Sequence, residues 1–319
     1  SQITIPILSG DEVNAILILE TNQEPRFSLS DWDFARRLAE NAGIAISNAQ
    51  LYAELTRADE SKSEFMAFAA HELKNPLTPI KGYAEMMLKG ATGELTDQQK
   101  QIMHVLRTNA ERMQTIINDL RDIARMDARQ FRIELSPIDI YNVVIETLRP
   151  FMQQLEEKGQ TIVNNVPEGL PLIIGDATRL IQVMTNLVSN AYKYSPPGST
   201  ITITARPETS YRTPNGNLHK NVMYISVADN GIGMSEEDLQ KIFRERYFRS
   251  SNRAAQDQPG TGLGMMITQH IIELHNGEIW VESKLGEGSN FQFVIPLAVE
   301  EGGDTPETSP DAATEPASD

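Results

Sequence analysis

Along the first third of the chain the apolar positions change period from two to seven. ITIPIL at 3–8 and VNAILIL at 13–19 are short β-rich runs on either side of SGDE and predict a hairpin. FSLSDWDF then predicts a helix start, with Ser30 or Asp31 as its cap. Leu38, Ala42, Ala45, Ala49 and Tyr52 recur at alternating steps of 4 and 3, a heptad-like seam. From Ser63 to Lys89 the pattern stays helical through Met66, Ala69, Leu73, Pro76, Ile80, Tyr83 and Met87. Pro76 lacks a backbone donor and should bend that helix. GATGEL reads as a loop and Thr96 as the next cap, followed by a second heptad run of Ile102, Leu106, Asn109, Met113, Ile116, Leu120 and Ile123. Two such helices make an antiparallel hairpin whose wide apolar face needs a partner. Two copies would complete a four-helix bundle, so a homodimer is expected.

After Arg132 the character changes. The runs RIEL, TIVNNV, TITITA, VMYISVAD, GEIWVES and NFQFVIPL alternate with helical stretches near 139–157, 176–193, 235–242 and 262–275. That mixture predicts a separate α+β domain, a two-layer sandwich of sheet and helices. Ser235 followed by Glu236, Glu237 and Asp238 is a helix-start signature. The stretch 207–220 reads as an exposed hairpin loop around Asn215-Gly216.

Composition narrows the function. The formal charge of −16, from 28 basic and 44 acidic residues, argues against nucleic acid as a partner. Residues 300–319 hold seven acids and no Lys or Arg, a composition expected to be disordered. The longest apolar runs are too short to cross a bilayer, and no secretory signal pattern opens the chain. Its first residue is Ser1, as in a fragment of something longer. With no cysteine there is no disulfide and no thiolate metal site, which fits a cytoplasmic protein. No pair of the five histidines has zinc-site spacing.

One histidine has a chemical setting. His71 lies two positions from both Ala69 and Leu73, so at about 100° per residue it faces away from the seam towards solvent. Glu72 can hold one tautomer of the ring and take its proton, and Asn75, one turn on, could orient a water. His104, His219, His270 and His275 have no such neighbours and read as structural. FMAFAAHELKNPLTPIKGYAEMM resembles the phosphoacceptor box of two-component sensor histidine kinases. The opening hairpin and seam helix resemble the end of a GAF sensor domain.

A phosphate site is legible further on, without a Walker A loop or the HRD and DFG sets of other kinases. Asn186, Asn190 and Lys193 fall at i, i+4 and i+7 on one helix face. An Asn carbonyl suits Mg²⁺, the lysine suits phosphate, and Tyr194 could pack on adenine. In DNGIGM at 229–234, Asp229 could accept from an adenine amino group, with Gly231 and Gly233 letting backbone approach the ligand. GTGLG (Gly260, Thr261, Gly262, Leu263, Gly264) opens a helix whose N–H groups can hold a phosphate. In this order the segments resemble the ATP domain shared by gyrase, the Hsp90 chaperones, histidine kinases and MutL. The resemblance implies ATP with Mg²⁺ at Asn190, adenine at Asp229, and phosphate contacts from Lys193 and the 260–264 turn. The family's aromatic segment, roughly Glu-Arg-Phe-Tyr-Arg, here reads Arg244-Glu245-Arg246-Tyr247-Phe248-Arg249, with the aromatics swapped and one residue added. SSNRAAQDQP after it is expected to be a lid.

The resemblance implies a sensor histidine kinase that autophosphorylates His71 and passes the phosphoryl group to a response regulator in trans, with reverse phosphatase activity through Asn75. The expected organisation is the end of a GAF-like domain at 1–28, a linker helix at 29–62, a dimerisation and phosphotransfer domain at 63–132, a catalytic domain at 133–299 and a tail at 300–319. An ATPase of the same fold and a non-catalytic dimeric scaffold are the alternatives.

Overall fold

The computed structural model describes residues 1–9, 12–22, 27–250, 252–256, 258 and 260–298. The expected tail at 300–319 lies outside them, as do Ser251, Asp257 and Pro259 of the expected lid. The chain divides after Arg132 into two units.

In the first unit β1 (Gln2–Ser9) and β2 (Glu12–Glu20) pair antiparallel. Ile3, Ile5 and Ile7 alternate onto one buried face, which packs with Ala35 and Ala39 of the following helix. A side chain at Gly43 would sit 2.4 Å from the Leu8 carbonyl oxygen, so the hairpin needs a glycine there. That helix, α1 (Leu29–Leu88), runs unbroken for 60 residues through both stretches expected to be helical. Its cap is Ser28, ahead of the expected Ser30 or Asp31. The Ser28 hydroxyl accepts from the Asp31 amide while the Asp31 carboxylate accepts from the Ser28 amide, so Asp31 is the third helical residue of a capping box. Pro79 joins Pro76 inside the helix. Together they remove the amide donors that would bond the carbonyls of Glu72 and Asn75. The turn α1–α2 leads to Thr96, the cap of α2 (Asp97–Asp127), in a box with Gln99.

The seam between α1 and α2 is not the expected one. Ser63, Ala70, Leu77 and Ala84 are buried at every seventh position of α1, and Ala110 and Ile117 of α2 pack with Ala70 and Leu77. These positions lie one residue from the apolar heptads read in the sequence, but of the α2 heptad Leu120 packs against the cluster and Ile123 is buried as expected. Leu73, Ile80 and Tyr83 of α1 and Ile102, Leu106, Met113 and Ile116 of α2 are exposed in the single chain. Small residues let two helices approach closely, so they take the intramolecular contact and leave the larger side chains on the adjoining stripe. Among the described residues no helix is long and apolar enough to cross a membrane.

The second unit runs β3 (Ser136–Ile138), α3 (Ile140–Leu148), a 3-10 turn at Arg149–Phe151, α4 (Met152–Lys158), β4 (Thr161–Asn165), β5 (Ile173–Gly175) and α5 (Ala177–Tyr194). It continues with β6 (Thr200–Arg212), β7 (Leu218–Asp229), α6 (Glu236–Lys241), α7 (Arg253–Gln256), α8 (Gly264–Leu274), β8 (Glu278–Lys284) and β9 (Gly288–Pro296). The main sheet has the order β4-β6-β7-β9-β8, with only β4–β6 parallel. Helix α5 packs between α3 and α8 on one face of it. Paired residues Met223–Ile295, Ile225–Phe293 and Val227–Phe291 carry the buried core of that face. The opposite face is apolar too: Val222, Tyr224, Trp280 and Val294 cluster there, with Tyr211 stacked 5.5 Å from Trp280.

Three expectations change here. RIEL is not a strand; β3 starts at Ser136 and pairs with the unforeseen β5, while the Glu134 amide donates to the Asp176 carboxylate. The 207–220 loop is mostly strand, because β6 and β7 pair as far as Arg212 and Leu218 and leave only Thr213–Asn217 to turn. His219 therefore sits in β7, with Nε2 2.8 Å from Glu278.

Candidate functional site

His71 lies in mid-α1, where only its flanking residue Ala70 is drawn into the α1–α2 seam. Its side chain is 71% exposed, and Nδ1 lies 3.2 Å from Glu72 Oε1. A carboxylate only accepts, so this contact suits a ring that carries its proton on Nδ1. Asn75 is exposed one turn further along. The carbonyls freed by Pro76 and Pro79 belong to the same turns.

The second cluster is built on α5 of the other unit. The Asp176 side chain caps this helix at Arg179, and six apolar residues from Leu180 to Ala191 bury one face. Asn186, Asn190, Lys193 and Tyr194 are left half-buried. The Asn186 amide donates to Thr268 Oγ1 at 2.8 Å, and the Asn190 amide to the Met265 sulfur at 3.4 Å, both on α8. With its NH₂ so engaged, Asn190 has its carbonyl oxygen for a hard cation. The Tyr194 hydroxyl is the nearest atom to a side chain at Gly260, 3.8 Å away. Burial pushes that phenol up, and the Arg249 charge draws it part of the way back.

Asp229 closes β7 opposite. Its Oδ1 accepts from the Gly231 amide at 2.8 Å and the Ser195 hydroxyl at 3.4 Å. Burial raises its carboxyl above the ordinary value, against the pull of hydrogen bonds from the Gly231 and Ser289 amides and Ser195. A half-buried carboxylate held from one side can still accept from a ligand amine.

The glycines have reasons within the protein itself. A side chain at Gly231 would lie 2.5 Å from the Tyr194 carbonyl oxygen, and one at Gly233 2.0 Å from that of Lys284. Gly262 has φ +70 and would strike the backbone of Tyr247–Phe248; Gly264 would strike the Asn186 amide. The turn thus locks onto α5 and the aromatic segment. Thr261 Oγ1 accepts from the Leu263 amide, and Leu263 is buried just before α8. In the altered aromatic segment Tyr247 takes a left-handed φ of 61 and is exposed, while Phe248 is half-buried. Arg249 donates to the carbonyls of Gln256 and Gln258 beyond it.

Two histidines read as isolated have partners. His219 joins Thr213, Asn215 and Asn217 around Glu278, a knot that fixes the β6–β7 turn. His275 is buried: Nε2 accepts from the Asp176 amide at 2.9 Å and Nδ1 bonds the Ile271 carbonyl. Burial lowers its pKa, consistent with a neutral ring. Sequence reasoning also passed over Ser195, Met265 and Thr268, which touch the site residues. Only Ser195, directly after Tyr194, had a signal within a motif.

Residues 61–129 match the His Kinase A (phospho-acceptor) domain, and 175–299 the histidine kinase-, DNA gyrase B- and HSP90-like ATPase. The chain is 28% identical over 90% of its length to the sensor histidine kinase WalK of Bacillus subtilis, covering 46% of that protein. It is 32% identical over 79% of its length to the sensor protein kinase WalK of Staphylococcus saprophyticus, covering 39%. Full-length ShkA, solved in complex with AMPPNP, aligns with 74% of the chain at 27% identity and a TM-score of 0.56, over 46% of that structure. The chain thus spans less than half of each of these proteins.

Proposed function

The chain belongs to the two-component sensor histidine kinases, and on that premise we propose that it transfers the γ-phosphoryl group of ATP to His71. The exposed ring of His71, with Nδ1 held by Glu72, carries this reading. The Nε2 lone pair attacks the γ-phosphorus in line, a P–N bond forms, and the bond to the β,γ-bridging oxygen breaks to release ADP. The Nδ1 proton passes towards Glu72, so the phosphorylated ring does not accumulate positive charge. Asp229 accepts from the adenine amino group, and Tyr194 flanks the base. Lys193 and the amides of Gly260, Thr261, Gly262 and Gly264 hold phosphate, with Leu263 anchoring the turn beneath them. Asn190 would hold Mg²⁺, which supplies charge neutralisation at the phosphates when bound.

The phosphoryl group then goes to an aspartate of a response regulator that docks around His71, with Asn75 orienting water for the reverse hydrolysis. Residues 63–132 of two chains form the bundle, 133–299 the catalytic domain, and 1–28 with 29–62 the end of a GAF-like sensor and its signalling helix, all in the cytoplasm. The exposed stripe of Leu73, Ile80, Leu106 and Met113 supports the dimer.

Incubation with γ-labelled ATP tests the proposal. Acid-labile, base-stable label that disappears in His71→Gln is the expected result. ADP release without label would establish an ATPase of the same fold instead, and absence of both a scaffold. Asn190→Asp should abolish labelling and leave the dimer intact.

A further inference from the structure

Around Gly231 three oxygen atoms from two separate segments, the end of α5 and the end of β7, converge. A side chain there would lie 2.5 Å from the Tyr194 carbonyl oxygen, 2.6 Å from Ser195 Oγ and 2.7 Å from Asp229 Oδ1. The Tyr194 carbonyl accepts from the Ile232 amide at 3.0 Å, which ties the end of α5 to the turn after β7. Ser195, the cap residue just past α5, is 2% exposed. Its backbone is fixed from behind by Gln160, itself buried, whose amide donates to the Ser195 carbonyl at 2.9 Å and reaches those of Tyr192 and Pro196. A hydroxyl on so constrained a residue can reach few acceptors, and the one it meets is Oδ1 of Asp229.

Both this hydroxyl and the Gly231 amide donate to the same carboxylate oxygen. Two donors on one oxygen set the rotation of the carboxyl plane and oppose its protonation inside a half-buried site. An ionised carboxylate accepts only, so it suits a purine carrying an amino group at C6. A protonated or turned one could donate to a 6-oxo purine. The backbone amide is invariant under side-chain change; the Ser195 hydroxyl is the adjustable donor.

We infer that Ser195 is a positioning residue that orients Asp229 to accept from a 6-amino purine, and so sets selection of adenine over guanine nucleotides. The inference rests on the reading of the cleft as an ATP site. It adds to that reading a second residue that determines specificity.

Calorimetric titration with ADP, purine riboside diphosphate (which lacks the 6-amino group) and GDP provides the test. In Ser195→Ala, ADP affinity should fall about tenfold, the scale of one hydrogen bond to a charged group, while purine riboside diphosphate binds as before and GDP discrimination narrows. The rise should appear in KM for ATP with kcat for His71 labelling unchanged. Ser195→Thr, which keeps the hydroxyl, should restore the preference. If Ser195→Ala does not fold, Ser195→Cys against Ser195→Thr gives the same contrast with a much weaker donor. Equal loss of ADP and purine riboside diphosphate, or no loss of either, overturns the inference and leaves the ATP reading standing. A wild-type chain that binds no ADP overturns both.

Discussion

The two units meet the demand for a buried core in opposite ways. The sheet domain closes its own, with Phe293, Ile225, Leu187 and Met184 fully buried between strands and helices. The helical hairpin buries a narrow line of mostly small residues, Ser63, Ala70, Leu77 and Ala84 on α1 with Ala110 and Ile117 on α2, and leaves Leu73, Ile80, Leu106, Met113 and Ile116 in water. A domain that binds a substrate in a cleft needs fixed side chains, hence a complete core. A hairpin that presents one imidazole and, on the proposed function, pairs with a second copy needs an unfinished face. The comparison separates stability that belongs to one chain from stability that depends on concentration.

Truncation should therefore act differently in the two units. Phe293→Ala is expected to cost about 3–5 kcal/mol in the sheet domain, read by denaturant unfolding at any protein concentration. Loss below about 1 kcal/mol would mean that core is not closed. Ile80→Ser with Met113→Ser should leave the helicity of a dilute chain nearly unchanged and weaken self-association about a hundredfold by sedimentation equilibrium. That figure takes about 0.7 kcal/mol for each of the four side chains that two copies lose, half the value for full burial because Ile80 and Met113 are already half covered in the single chain. Self-association unaffected by the pair would place the interface elsewhere.

The smaller effects sharpen the same contrast. His275 is buried neutral in the sheet domain, with its pKa below the ordinary 6.5. The unfolded chain takes up this proton first as pH falls, so stability should decline below pH 6.5 by at most about 1.4 kcal/mol per unit until the folded ring also protonates. His275→Gln should remove that slope in pH-dependent melting of the sheet domain; an unchanged slope would assign it to another group. Last comes Thr96→Ala at the start of α2, expected to cost about 1 kcal/mol through the lost capping box, measured by thermal unfolding of the hairpin unit.

Local rules carried well where a feature depends on neighbours in sequence. The Thr96 and Ser235 caps, the first hairpin and most strands of the sheet follow from residues within a few positions. They failed where two local solutions compete. Ser28 rather than Ser30 caps α1 because Asp31 stands where it can complete the box. Ala70, Leu77, Ala110 and Ile117 sit one position from the apolar heptads, while Leu120 and Ile123 of the α2 heptad are covered as expected, since a helix with apolar residues on two adjoining stripes does not say which one faces its neighbour. Short β5 carries only three residues and takes its identity from pairing with β3.

From the chain alone came the outward histidine beside its glutamate, and the order of Asn, Asp and Gly segments, because both are written in short spacings. Tertiary structure alone decided why the glycines must be glycines, with Gly231 hemmed in by Tyr194, Ser195 and Asp229, and Gly264 by Asn186. It also decided that Ser195 meets Asp229 across 34 residues of sequence. Contacts between distant segments depend on how helices and strands stack, and no periodicity within either segment encodes the other's position.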